Sequence, residues 1–353
     1  MRGAYINRIA TAVPEYDVHA AFVTFANQML TDERMRSIFL RMAAKAEIEH
    51  RYSTLHTGKP LAPDAVDVYE LYRLGNFPAT ARRMQIFEKA APALARRALD
   101  KLALTGKERE RIQHVIVTCC TGFYAPGLDF EIVDYLGLSN GVERTMVGFM
   151  GCYAAINALK LARHIVRSEP DESVLVVNLE LCTLHLQETQ ELSEVLSFLV
   201  FGDGCAASLI TSEAVGLEID SFRAMQILET RELITWRVGD IGFDMLLSGR
   251  VPGEIGKSMR ENTGELMAAG PVELWAVHPG GRSILDAVEQ GLGLAPDSLK
   301  ASRTILSRFG NMSSATVMFV LQELMLEARA GQSGCAISFG PGLTAETMRF
   351  HAV

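Results

Sequence analysis

At 353 residues the chain is long enough for two domain-sized units, or for one large fold built from two similar halves. Apolar residues make up 48% and charged residues 22%, a balance that excludes disordered and fibrous classes. A formal net charge of −8 provides no basic field to neutralise phosphates, which excludes a nucleic-acid surface and means that an anionic substrate must meet a local basic patch.

No run reaches the ~20 apolar residues of a bilayer-spanning helix. In the opening MRGAYINRIATAVPEYD, Arg8, Glu15 and Asp17 interrupt any signal-like apolar core, so a cytoplasmic location is expected. The first hundred residues read as mainly helical, with Pro60, Pro63 and Asp64 marking a loop. HVIVTCC (114–120) follows as a strand, and the Ala-rich YAAINALKLARHIV (153–166) as a helix buried at the centre of a layered fold. Further strands are SVLVVNLE (173–180), GCAASLIT (204–211), LWAVHPG (274–280) and GCAISFGPG (334–342). Lacking polar alternation, they suit positions covered on both faces, and the chain is α/β. GCYAAINALKLA and GNMSSATVMFVLQELMLEA enter their helices alike, through a Gly-Cys and a Gly-Asn pair followed by small residues. An internal duplication is expected, with halves 1–214 and 215–353 meeting at a seam in SEAVGLEIDSF (212–222).

Six cysteines lie in apolar segments without metal-ligand spacing, so they read as reduced and mostly buried, and no zinc site is expected. Cys152 is placed between Gly151 and an apolar helix, where the helix dipole and a histidine partner favour a thiolate. His278 ends an apolar strand before Pro279-Gly280-Gly281, the kind of strand end at which α/β folds present reactive groups. Asn311 stands at a helix start, where it can cap the helix or face a site. Together they supply a nucleophile, a base and a neutral hydrogen-bond donor.

GCYAAINALKLA, WAVHPGGRSILD, FGNMSSATVMFVL and CAISFGPGLTAET resemble the signature segments of the chalcone synthase family, the type III polyketide synthases. HRYSTL (50–55), CTGFYAPGLDFEIVDYLGL (120–138) and FGDGCAASLI (201–210) extend the resemblance over nearly the whole chain. It implies the thiolase fold, a duplicated five-layer α/β/α/β/α sandwich forming homodimers, with acyl-CoA and malonyl-CoA as substrates and no dissociable cofactor or metal. Cys152 stands in the place of the nucleophile, and His278 and Asn311 in those of the groups acting on malonyl-CoA. Phe201 matches one gatekeeper, while Met245 replaces the usual second, with Phe243 nearby as a substitute. Ala125 replaces a partner-subunit Met, Cys120 matches a cavity cysteine of bacterial members, and Lys45 matches a CoA contact. Gly280, Ser313, Phe339, Gly340 and Pro341 are expected at the substrate cavity. These departures favour a fatty acyl starter and a pyrone or resorcinol-type product, with bulky Trp236 opposing. The alternatives are a single-round ketoacyl-carrier-protein synthase and a thiolase-like redox protein built on Cys119-Cys120.

Overall fold

The computed structural model describes residues 3–56 and 71–353, so the loop expected around Pro60, Pro63 and Asp64 lies outside the described residues. The first half runs β1 (Tyr5–Ala12), β2 (Tyr16–Asp17), α1 (His19–Met29), α2 (Glu33–Ala44), β3 (Tyr52–Ser53), α3 (Thr80–Leu102), α4 (Gly106–Arg111), β4 (Ile112–Cys119), α5 (Leu128–Leu136), β5 (Glu143–Gly148), α6 (Ala154–Ser168), β6 (Ser173–Leu181), α7 (Leu192–Val200) and β7 (Asp203–Thr211). The second runs β8 (Leu217–Gln226), β9 (Ile234–Gly239), β10 (Gly242–Leu247), α8 (Val251–Leu266), β11 (Leu274–Val277), α9 (Arg282–Leu292), α10 (Lys300–Phe309), α11 (Thr316–Glu327), β12 (Ser333–Gly340) and β13 (Thr344–Ala352). All five strands read from the sequence are present, as is the central helix. The expected seam is largely strand, because β8 begins at Leu217. The N-terminal region also holds β1, which carries Asn7 and Arg8 at a register shift that breaks its alternation.

Nine strands form one mixed sheet in the order β11-β12-β13-β8-β1-β7-β6-β4-β5. In one part β4 is parallel to β6, β6 antiparallel to β7, and β7 antiparallel to β1. The other part repeats this, with β11 parallel to β12, β12 antiparallel to β13, and β13 antiparallel to β8. The two parts join across β1 and β8 through the pairs Tyr5–Glu218 and Ile6–Leu217 and the bond from Ile219 N–H to Ala4 O at 2.9 Å.

Strand alternation then sorts the side chains into layers. Val115, Val117, Leu175 and Val177 pack against Leu94, Ala98 and Leu99 of α3 and Ile132 of α5. On the opposite face Ile116, Val174 and Val176 meet α6 and α11, which Ala276, Ala336, Met348 and Phe350 cover from the other side. Trp275, Val277, Cys335 and Ile337 face Ile255 and Met259 of α8, Leu285 and Val288 of α9, and Leu306 of α10. The result is the expected five layers. Ala154, Ala155, Ala158 and Ala162 form a fully buried face that lets α6 pack between the two parts of the sheet, and each large aliphatic chain buried beside them contributes about 1.5–3 kcal/mol. Among the described residues no helix is long and apolar enough to cross a membrane.

Candidate active site

Two short 3-10 turns lead into the central helices: Gly151–Tyr153 before α6, and Ser313–Ala315 before α11. Cys152 therefore sits just ahead of α6 rather than at its first residue. Gly151 has φ +71°, and a Cβ there would lie 2.3 Å from Pro341 Cδ, so only glycine allows this approach. His278 follows β11: its N–H donates to Ile337 O at 2.8 Å, and Gly280 N–H returns to His278 O at 3.0 Å. Asn311 both caps and faces the site. Its Oδ1 accepts from Ser313 N–H at 2.8 Å, and its Nδ2 donates to Gly280 O at 3.4 Å.

Cys152, His278 and Asn311 line one cavity with about 830 Å³ of atom-free space. Phe201, Met245, Cys120, Gly280, Ser313, Phe339, Gly340 and Pro341 line it too. Lys45 does not: it is exposed at the end of α2, where its carbonyl accepts from Arg282 at 3.2 Å. Of the two residues weighed for the second gate, Met245 lines the cavity, while Phe243 is fully buried and stacked on His185 with ring centroids 4.1 Å apart. Trp236, paired with Met245 across the β9–β10 hairpin, lines the cavity and donates from Nε1 to Cys120 O at 2.7 Å. Cys182, Ile234, Leu247 and Ile255 complete an apolar lining.

Burial dominates the electrostatics. It pushes the Cys152 thiol up to about 12, against the opposing effect of the Ser313 hydroxyl, which the sulfur contacts at 3.8 Å. Burial therefore works against the thiolate that the helix end favours. Burial pushes His278 down to about 3, and among the described residues neither ring nitrogen has a hydrogen-bond partner. The imidazole is neutral and free to take or give a proton inside the cavity.

Glu180 was not foreseen, although a lone acid closing the apolar run SVLVVNLE is itself a signal. Buried at the end of β6, it accepts from Cys120 N–H at 2.9 Å, Thr121 Oγ1 at 2.8 Å and Ser314 Oγ at 2.6 Å. These bonds tie the end of β4 to the turn before α11. Burial outweighs them and holds its carboxyl at about 7. Burial, with Glu180 adding to it, raises the Cys119 and Cys120 thiols.

A thiol, an imidazole and an amide on one apolar wall, in a duplicated five-layer sandwich, define a thiolase-fold condensing enzyme. Residues 3–214 match the family profile "Chalcone and stilbene synthases, N-terminal domain", and residues 219–353 match its C-terminal counterpart. The alpha-pyrone synthesis polyketide synthase-like Pks18 of Mycobacterium tuberculosis is 33% identical over 372 aligned positions, spanning 99% of this chain and 91% of that protein. Bisdemethoxycurcumin synthase of Oryza sativa subsp. japonica is 34% identical over 344 positions, 90% of this chain and 84% of that one. The crystal structure of PKS-I from the brown alga Ectocarpus siliculosus superposes with a TM-score of 0.88 at 28% identity, covering 100% of this chain and 99% of that one. The chain belongs to the chalcone and stilbene synthase family. It is a type III polyketide synthase, a transferase that extends an acyl-CoA starter by iterative condensation with malonyl-CoA, and the single-round carrier-protein alternative is not favoured.

Proposed function

We propose that Cys152 carries the growing chain, that His278 and Asn311 act on malonyl-CoA, and that the product is a pyrone or resorcinol-type ring grown from a fatty acyl starter. The observation that carries this reading is the convergence of the three side chains on one largely apolar cavity. In loading, the sulfur of Cys152 bonds to the starter carbonyl, its proton passes to His278, and CoA leaves as a thiolate that takes the proton back. Malonyl-CoA then loses carbon dioxide, and the electron pair left behind is held as an enolate by N–H groups of His278 and Asn311. The enolate carbon attacks the acyl group and Cys152 leaves as thiolate, to be reloaded for another round. No dissociable cofactor enters any of these steps.

Support for the starter and product classes comes from the apolar lining, the flexible Met245 at the second gate, and the alpha-pyrone synthesis in the name of the mycobacterial relative. Phe201 forms the other gate. Halves 1–214 and 215–353 are proposed as the two duplicated units, and the repeated strand order supports this. A homodimer is proposed through β5, an edge strand of the sheet flanked by exposed Met146, Phe149, Met150 and Phe123. Reduced cysteines and CoA thioester substrates fit a cytoplasmic setting.

The test separates loading from extension. Brief incubation with a fatty acyl-CoA and peptide mapping are expected to find the acyl group on Cys152, whereas a label mainly on Cys120 rejects the assignment. Asn311→Ala is expected to retain loading while slowing malonyl-CoA decarboxylation by about 10²–10³; an equal loss of both activities contradicts the division of roles.

A further inference from the structure

A second cavity, with about 530 Å³ of atom-free space, lies against α1 on the far side of the catalytic cavity's wall. Both cavities are lined by Cys182, Phe198 and Phe201, so these three side chains are the partition between them. Phe22, Phe25, Leu55 and Leu186 make the second chamber mainly apolar.

The partition is the C-terminal end of α7, where the last carbonyls of a helix have no partner within it. Arg51 supplies that partner. It is 1% exposed, and its Nη1 donates to Phe198 O at 3.0 Å and to Phe201 O at 2.6 Å. Its Nε donates to His19 Nδ1 at 3.0 Å, and its guanidinium carbon lies 4.5 Å over the Phe22 ring. Burial and the charge of Arg51 push His19 down to about 4, which keeps that ring a neutral acceptor. Nη2 has no partner among the described residues, and Arg51 itself lines the second chamber. A buried cation is therefore committed to two carbonyls of one short wall segment. A lysine has a single nitrogen and no planar group, so it cannot hold these carbonyls and also keep the His19 bond made by Nε.

We propose that Arg51 is a positioning and specificity-determining residue, latching the Phe198–Phe201 partition, and that the chamber behind it receives the distal end of longer starter acyl chains when the partition yields. The proposal rests on the reading that Cys152 is loaded from an acyl-CoA. Holding the carbonyls fixes the backbone from which the Phe198 and Phe201 rings project, so the latch sets how readily those rings move aside and the two chambers merge.

The experiment compares kcat/KM for butanoyl-CoA and dodecanoyl-CoA, each with malonyl-CoA, in wild type, Arg51→Met and Arg51→Lys, each with and without Ala21→Phe. Ala21 lines only the second chamber. Loosening the latch is expected to raise the long-to-short ratio about tenfold, the gain from burying two or so further methylenes. Arg51→Lys is expected to leave the ratio raised, and Ala21→Phe to cancel the gain. Phe198→Ala thins the partition without touching the cation and serves if the Arg51 variants do not fold; it too is expected to raise the ratio and to be cancelled by Ala21→Phe. Equal losses for both starters, or a ratio insensitive to Ala21→Phe, overturn the proposal. A wild-type preference for the short starter instead contradicts the fatty acyl reading, and the change in ratio still tests the latch.

Discussion

A thiol and an imidazole that burial disfavours as separate ions can still ionise together, because moving one proton from sulfur to ring creates two opposite charges that offset each other's desolvation. In this cavity burial pushes Cys152 up and His278 down, so neither ionises readily alone. The rate of Cys152 alkylation by iodoacetamide, followed against pH, is expected to have its midpoint at higher pH in His278→Ala than in wild type. Coincident profiles remove His278 as the proton acceptor. Cys152, His278 and Asn311 were legible in the sequence because glycine-bearing turns set each of them off from an apolar element. Lys45 stays an open reading, because a lysine at the end of an exposed helix carries the same local pattern whether it meets CoA or water.

Strand β6 shows how a single acid changes an otherwise apolar element. With its carboxyl held at about 7 by burial, Glu180 is protonated more readily in the folded chain than at its ordinary value of 4.5. A raised carboxyl contributes stability that is full below its unfolded value and is lost as pH rises through the folded one. Relative to Glu180→Gln, wild type is therefore expected to lose up to about 3 kcal/mol between pH ~4.5 and pH ~8. Urea unfolding of both proteins at several pH values measures the difference, and a constant difference refutes it. The strands buried on both faces, β4, β6, β7, β11 and β12, were readable as continuous apolar runs. The others were not: β5 is exposed along most of its length, β1 is interrupted by Asn7 and Arg8, and β13 carries Glu346 and Arg349 among its apolar residues.

For the whole molecule, the unpaired side of β5 and its exposed Met146, Phe149 and Phe123 form an apolar edge that an isolated chain would leave in water. Light scattering is expected to give twice the chain mass for wild type, and a shift toward one chain for Met146→Lys, which places a charge in the proposed contact. A monomeric wild type rejects the dimer. The duplication was legible from two helix entries alone, yet the joining of both parts into one sheet was not, since it rests on the contact of β1 with β8.

That contact also sets a timetable. β1 is made well before its two sheet neighbours, β7 and β8, which lie roughly two hundred positions later in the chain. At a synthesis rate of about 5–20 residues per second, the strand waits on the order of ten to forty seconds for a hydrogen-bonding partner. In that interval early elements such as α3 are available to cover Ala10 and Ala12. A strand at the middle of the finished sheet is thus closed among the last, and contacts of such long sequence separation make for slow folding in which waiting β1 is the exposed and vulnerable part.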